Sequence, residues 1–67
     1  MKAQILYTDP SMRFKACEIG DVLKNDFPKY DFKIDLGIMR SVKIFEDSVP
    51  IDMARIFYFY KNEIKVL

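Results

Sequence analysis

Residues 30–36 constrain the fold most strongly, because apolar and charged side chains alternate along them without interruption. Successive side chains of a β-strand point to opposite faces of the sheet, so strict alternation predicts a strand with one buried face. The apolar set is Tyr30, Phe32, Ile34 and Leu36, and the charged set is Asp31, Lys33 and Asp35. Gly37 follows, and we expect it to end the strand.

Size and composition limit what the chain can be. Its 67 residues predict one domain, residues 1–67, and the 51% apolar content is typical of a globular protein. A net charge of +1 is too small for a protein that binds by neutralising many phosphates. Cys17 is the single cysteine, so no intrachain disulfide can form. The sequence has neither a signal peptide nor an apolar run of roughly 20 residues, which predicts a cytoplasmic protein with no membrane partner.

The N-terminal third predicts a strand followed by a helix. Residues 2–7 read as a short strand with Ala3, Ile5 and Tyr7 on one face. Asp9 is a good helix N-cap, and Pro10 suits the first helical position. A helical stripe follows at spacings of four, three and four, formed by Met12, Ala16, Ile19 and Leu23. We expect residues 25–28 to end this helix, because the residue before a proline disfavours helical geometry.

The C-terminal half predicts three further strands. Residues 41–46 read as a strand with Val42 and Ile44 on one face, and residues 46–50 as a turn. Residues 53–60 and 64–67 then read as a β-hairpin rich in aromatic residues. The predicted fold is therefore α+β, a small single sheet in the order β-α-β-β-β-β with one helix packed on one face. Residues 53–67 also fit a helical stripe, which is the alternative for this segment.

The length of the hairpin loop decides which rings are buried. With a two-residue loop, Phe59 pairs with Ile64, Phe57 faces the core, and Tyr58 and Tyr60 face water. With a three-residue loop, Tyr60 pairs with Ile64 instead and the two faces exchange. Both loop lengths remain as alternatives, because neither loop contains the glycine that would select one.

Catalytic chemistry has little support in the sequence. The chain has no histidine, and a lone cysteine without one makes neither a zinc site nor a cysteine nucleophile. We therefore predict no cofactor and no metal site, and we favour a protein without enzymatic activity over an enzyme. The candidate binding residues are the tyrosines and cations around the last predicted hairpin: Arg55, Tyr58, Tyr60, Lys61 and Lys65. Tyrosine and arginine often anchor protein interfaces, and rings beside cations also stack on unpaired bases.

Residues 54–67 carry a resemblance to a known family. Ala-Arg-Ile-Phe-Tyr-Phe-Tyr followed by Lys-Asn-Glu-Ile-Lys-Val-Leu resembles the late sheet of RelE/HigB-like toxins of bacterial toxin–antitoxin systems. Those toxins have a small sheet with helices on one side, and they cleave messenger RNA on the ribosome with basic and aromatic residues. The resemblance implies a catalytic, phosphate-contacting role for Arg55 and an RNA partner.

Two functional hypotheses follow. The first is a small non-enzymatic module that binds a larger host protein or protein complex. Lys, Ile, Phe, Tyr, Met and Asn make up nearly half of the chain. Their AT-rich codons suggest a phage or mobile element, and hence an inhibitor of a host protein. The alternative is a ribosome-dependent messenger RNA endonuclease toxin, or a decayed relative of one. A homo-oligomer through the C-terminal edge strand is also predicted.

Overall fold

The protein is a small all-β sheet. The computed structural model describes the backbone of residues 1–67 and the side chains of residues 1–40 and 43–67. The strands are β1 (Lys2–Ile5), β2 (Ile19–Leu23), β3 (Phe32–Val42), β4 (Ile51–Phe59) and β5 (Ile64–Val66), with a 3-10 turn at Lys61–Glu63. All neighbours are antiparallel, in the order β4-β3-β2-β1-β5. The predicted α+β class is wrong, because the described backbone contains no α-helix.

The helix predicted after Asp9 is replaced by an irregular loop, residues 6–18, which we call the first loop. Asp9 does accept the Arg13 backbone N–H at 3.1 Å, but its own N–H donates to the Phe14 carbonyl and turns the chain back. Met12 and Cys17 have φ values of 60° and 75°, which a right-handed helix does not allow. Backbone bonds between Ile5 and the end of this loop then draw residues 19–23 into a strand beside β1. Pairing between strands thus overrides the helical periodicity.

Two separate predicted strands form one long strand. The strand predicted at residues 30–36 is confirmed from Phe32, where β3 begins, but Tyr30 and Asp31 precede it and Gly37 does not end it. Gly37 has a φ of 85°, and a register shift lies between Asp35 and Ile38, so the glycine forms a β-bulge and the strand continues. The strand predicted at residues 41–46 is therefore wrong beyond residue 42. The predicted common face of Val42 and Ile44 involves Val42, whose side chain lies outside the described residues.

The C-terminal strands exist but do not form a hairpin. β4 pairs with β3, with Phe59 opposite Phe32, and β5 pairs with β1, with Ile64 opposite Ile5. The two strands therefore lie at opposite ends of the strand order, and the 3-10 turn carries the chain between them. Neither predicted hairpin loop forms, and the helical alternative for residues 53–67 is wrong. The faces of β4 are those of the two-residue alternative, because Phe59 is buried and Tyr60 is exposed.

Among the residues whose side chains the structure describes, seven apolar ones form the core. Four of the five strands contribute to it, and Phe14 enters it from the first loop. Val22 of β2, together with Phe32 and Phe57, is partly buried against the cluster. The seven buried residues are Ala3, Ile5, Phe14, Ile34, Leu36, Phe59 and Ile64.

Candidate functional site

An aromatic groove opens between two loops at the end of β4. Its volume is about 320 Å³. Tyr7, Arg13 and Phe14 of the first loop form one wall, and residues 24–31, which we call the second loop, form the other. Four successive β4 residues, Ile56 to Phe59, line the groove at the outer edge of the sheet, with Phe57 and Phe59 on one face and Tyr58 on the other; the second loop contributes Phe27 and Tyr30.

The inner layer of the groove is held by Phe14. The ring centroids of Tyr7, Phe57 and Phe59 each lie 5.3 Å from its own centroid. Tyr7 and Phe59 approach Phe14 edge-on, the geometry that aromatic pairs prefer. Burial and the nearby Glu63 carboxylate raise the pKa of Tyr7. This layer joins the first loop to the core and gives the groove a rigid base.

The outer layer is a group of four rings that we call the tyrosine ladder. Its members are Phe27, Tyr58, Tyr30 and Tyr60. The centroids of Phe27, Tyr30 and Tyr58 lie 5.4 to 5.7 Å from one another, so these three rings pack mutually, and Tyr60 extends the group at 4.9 Å from Tyr30. Phe27 is 46% exposed and Tyr60 is 39% exposed, so both reach the solvent. The ladder therefore presents a continuous aromatic surface.

Asn25 shapes the second loop that carries half of this ladder. Its side-chain oxygen accepts the Phe27 N–H at 3.1 Å, and its amide nitrogen donates to the Tyr30 carbonyl at 2.7 Å. The Tyr30 N–H in turn donates to the Phe27 carbonyl at 3.1 Å. Asparagine side chains commonly close turns in this way. One residue thus holds Phe27 and Tyr30 on the same side of the loop.

Asp26 links the ladder to a cation. It accepts a hydrogen bond from the Tyr58 hydroxyl at 2.5 Å and pairs with Lys33 at 3.4 Å. The hydrogen bond from Tyr58 holds the pKa of Asp26 below its usual range, and the same bond raises the pKa of Tyr58. The Lys33 ammonium also lies 5.7 Å from the Tyr58 ring centroid. These contacts fix the orientation of Tyr58 in the ladder.

Arg13 closes the groove on the side of the first loop. Its guanidinium lies 4.9 Å from the Phe57 ring centroid and contacts the Asp9 carboxylate at 2.6 Å. Asp9 is buried, and the hydrogen bond from the Arg13 side chain lowers the pKa of this carboxyl. Arg13 therefore neutralises a buried charge and covers the Phe57 ring.

Arg55 lies outside the groove and holds the first loop to the sheet. Its guanidinium pairs with Glu18 at 2.9 Å and donates to the Leu36 carbonyl at 2.6 Å. Its side chain is only 17% exposed, and its Nε is buried without a hydrogen-bond partner among the described residues. Burial raises the pKa of Glu18, but hydrogen bonds from Lys15 and Arg55 outweigh that effect and leave it lowered. This arginine is therefore engaged in the fold.

The structure brings together only some of the predicted binding residues. Tyr58 and Tyr60 join the ladder, and Lys61 follows directly, its backbone N–H bound to Asp31 at 2.7 Å. Arg55 is held by Glu18, and Lys65 lies in β5 opposite Gln4, at the far end of the strand order. The sequence reasoning missed Tyr7, Phe27 and Tyr30 as groove residues. Asn25 and Pro28 could have indicated them, because both residue types favour a turn, and the residues next to a turn lie at the surface.

Comparisons with known proteins identify no relative: no protein-family model, no curated protein and no solved structure matches this chain. Among the residues whose side chains are described, no group of three or more histidine, cysteine, aspartate or glutamate residues could hold a metal ion. The described residues also contain no helix of the length and apolarity needed to cross a membrane.

Proposed function

We propose that this protein is a non-enzymatic module that binds an extended segment of a larger partner protein in its aromatic groove. The observation that carries the proposal is the tyrosine ladder, four rings that pack on one another at the surface. Phe27 and Tyr60 keep 46% and 39% of their surface exposed. A small protein gains more stability by burying such rings than by displaying them.

The chemistry of the groove favours a peptide ligand. Tyrosine offers a large, rigid contact surface with a polar end, so it costs little conformational entropy on binding. Aromatic-lined grooves commonly take proline-rich segments, whose extended conformation is already formed before binding. We therefore take an extended, proline-containing segment as the ligand class. That the protein is encoded by a phage or mobile element and inhibits a host protein stays a prediction.

Two observations favour binding over RNA cleavage. Arg55, the residue that the toxin resemblance would make catalytic, is paired with Glu18 and largely buried. The cations near the ladder are in part neutralised, because Arg13 pairs with Asp9 and Lys33 pairs with Asp26. The endonuclease hypothesis stays a prediction, with growth arrest on expression as its readout.

The experiment is a binding screen with a matched pair of variants. Proline-rich peptides from a random library are titrated into the labelled protein and followed by NMR chemical shifts. We expect shifts in Phe27, Tyr30, Tyr58 and Tyr60, and weaker binding when the prolines of the peptide are replaced by alanine. Phe27→Ala should weaken binding at least tenfold, because it removes one ring of the ladder.

Phe45→Ala is the control, since Phe45 is 69% exposed but lies far along the chain from the ladder, in the loop between β3 and β4. It should bind like the unaltered protein. Equal loss of binding in both variants, or peptide shifts confined to residues outside the groove, would contradict the proposal.

A further inference from the structure

β4 is an unprotected outer strand. It is nine residues long, whereas β5, the outer strand at the other end of the order, has only three. In the described backbone β3 pairs with one side of β4, and no strand lies beside its other side. Within Ile51–Phe59 the only charged residues are Asp52 and Arg55, and there is no proline or lysine. Proteins that stay monomeric usually protect such an edge with those residues.

An exposed apolar surface adjoins this edge. The ends of β3 and β4 and the loop between them, residues 38–53, form what we call the arm. Val49 is 80% exposed and Phe45 is 69% exposed, values that are unusual for large apolar side chains in a monomer. Among the arm residues whose side chains are described, the other exposed large apolar ones are Ile38, Ile44, Ile51 and Met53.

A small cavity lies where the arm meets the body of the protein. Its volume is about 210 Å³. Its lining is mostly apolar and comes from β3, β4 and the first loop: Met39, Met53, Ala54, Arg55, Phe57 and Arg13. Met39 and Met53 are opposite one another in the β3–β4 pair, so both point to the same face of the sheet. The same chain therefore carries an apolar strand end and an apolar cavity a few residues further along that strand.

We propose that a second copy of this chain pairs with β4, antiparallel, with a two-fold axis at Met53. An antiparallel two-fold pair keeps the same sheet face on the same side in both copies. A residue a given number of places before Met53 then faces the residue the same number of places after it in the partner. Within β4 the paired residues are 51–55 of both copies, with Ile51 opposite the partner's Arg55. Pro50 and Val49, which precede β4, continue toward the partner's Ile56 and Phe57. The exposed apolar residues of each arm thus cover the cavity of the other copy.

The charges of β4 select this register. Asp52 pairs with Arg40 at 3.5 Å and Arg55 pairs with Glu18 at 2.9 Å within one chain. An axis at either residue would still place two like-charged side chains directly opposite one another, which is unfavourable. An axis at Ala54 would place the Asp52 carboxylate opposite the partner's Ile56. With the axis at Met53, Asp52 faces the small side chain of the partner's Ala54. The ladder lies beyond the paired residues, so the dimer leaves Tyr30 and Tyr60 free and does not depend on the proposed peptide binding.

Sedimentation velocity of the intact chain tests the proposal. We expect a dimer whose population grows with concentration, and a monomer at every concentration for Met53→Lys, which places two like charges at the axis. Met53 is 45% exposed, so this variant should fold, as circular dichroism will show. Val66→Lys is the matched control on β5, where Val66 is 43% exposed, and it should remain a dimer. A monomeric intact chain, or a dimer lost in Val66→Lys and kept in Met53→Lys, overturns the proposal.

Disulfide trapping tests the register. Cys17 is exposed, so it is first replaced in Cys17→Ser. In that background, Met53→Cys should form a covalent dimer on mild oxidation, because directly opposite residues of an antiparallel pair lie within disulfide reach. Ala54→Cys should remain largely uncrosslinked. Crosslinking of Ala54→Cys in preference to Met53→Cys overturns the register.

Discussion

At the scale of single residues, the hydrogen bond between Tyr58 and Asp26 joins the surface of the groove to the second loop. The donor is a ladder ring, and the acceptor is a carboxylate that also pairs with Lys33. The bond stabilises the ionised form of Asp26 and the protonated form of Tyr58, so it shifts both pKa values in opposite directions. Tyr58 is therefore held in one orientation, which would lower the entropy cost of the proposed peptide binding.

Removal of that hydroxyl should be visible as a change in the pKa of Asp26. Tyr58→Phe keeps the ring but loses the donor, so we expect the pKa of Asp26 to rise toward its ordinary value. The measurement is an NMR pH titration of the Asp26 side-chain carboxyl carbon. Tyr60→Phe is the matched control, because Tyr60 lies at the far end of the ladder. An unchanged pKa in Tyr58→Phe would show that the bond does not hold Asp26 in solution.

Asp9 should make the fold sensitive to acid. The hydrogen bond from Arg13 lowers the pKa of Asp9 in the folded protein below its unfolded value. A carboxyl of this kind contributes its full stabilisation above the unfolded pKa and loses it as the pH falls through the folded pKa. We therefore expect Asp9→Asn to be less stable than the intact chain at pH 7, with the difference shrinking below about pH 4.

Urea unfolding at a series of pH values measures that difference. Asp47→Asn, at the exposed turn between β3 and β4, removes the same charge far along the chain from Arg13 and serves as the control. We expect its free energy of unfolding to stay close to that of the intact chain at pH 7. A difference for Asp9→Asn that stays constant down to strongly acidic pH would mean that the Arg13 pair contributes nothing.

At the scale of elements, the alternation at residues 30–36 and the rings of β4 could be read from the sequence, because a local side-chain pattern decides them. Which strands pair with one another in the sheet could not be read from the sequence. β5 leaves β4 for β1 because Ile64 meets Ile5 and Ala3 in the core, a contact between the two ends of the chain. The prediction of a helix where the first loop lies was wrong for a related reason. Met12 and Ala16 of the predicted stripe are exposed, as is Ile19 at the start of β2, and Phe14 is the residue that enters the core.

Gly20 shows what this tight strand packing requires. A Cβ built on it would lie 2.7 Å from the Ile34 side chain and closer still to the Asp35 carbonyl oxygen. Gly20→Ala should therefore destabilise the protein by about 1–3 kcal/mol, since β2 would have to move away from β3. Urea denaturation measures the loss, and a stability equal to that of the intact chain would mean that β2 and β3 are not this close.

Gly37→Ala is an instructive comparison, because a Cβ there meets nothing within 4 Å. Its cost comes from the φ of 85° instead and should be about 1–2 kcal/mol. Gly37→Asn should be less costly than Gly37→Ala, because asparagine tolerates left-handed geometry better. At Gly20, by contrast, Gly20→Asn should not cost less stability than Gly20→Ala. The two glycines thus separate lack of space from backbone conformation.

At the scale of the whole molecule, β4 serves both proposed surfaces. Its C-terminal end lines the aromatic groove, and its N-terminal end belongs to the arm. The protein extends 39 Å along its longest axis and 23 and 20 Å along the others. An elongated chain of this size has little interior, which agrees with the small core of seven residues among the described side chains. Apolar residues that a larger protein would bury therefore remain at the surface, and both proposed binding surfaces include some of them.

A core this small should not survive the loss of its central ring. Phe59 is fully buried and contacts Phe14 in the first loop, so it joins β4 to that loop. Phe59→Ala should cost about 3–5 kcal/mol, which equals the roughly 3–5 kcal/mol that a core of this size supplies in total. We expect the variant to be unfolded at room temperature by circular dichroism and NMR dispersion. Leu67→Ala, at a side chain that is 57% exposed, should change stability by less than about 0.5 kcal/mol. A cooperatively folded Phe59→Ala would mean that the stability of the protein comes from somewhere other than this core, and pairing between copies along β4 would then be the first source to measure.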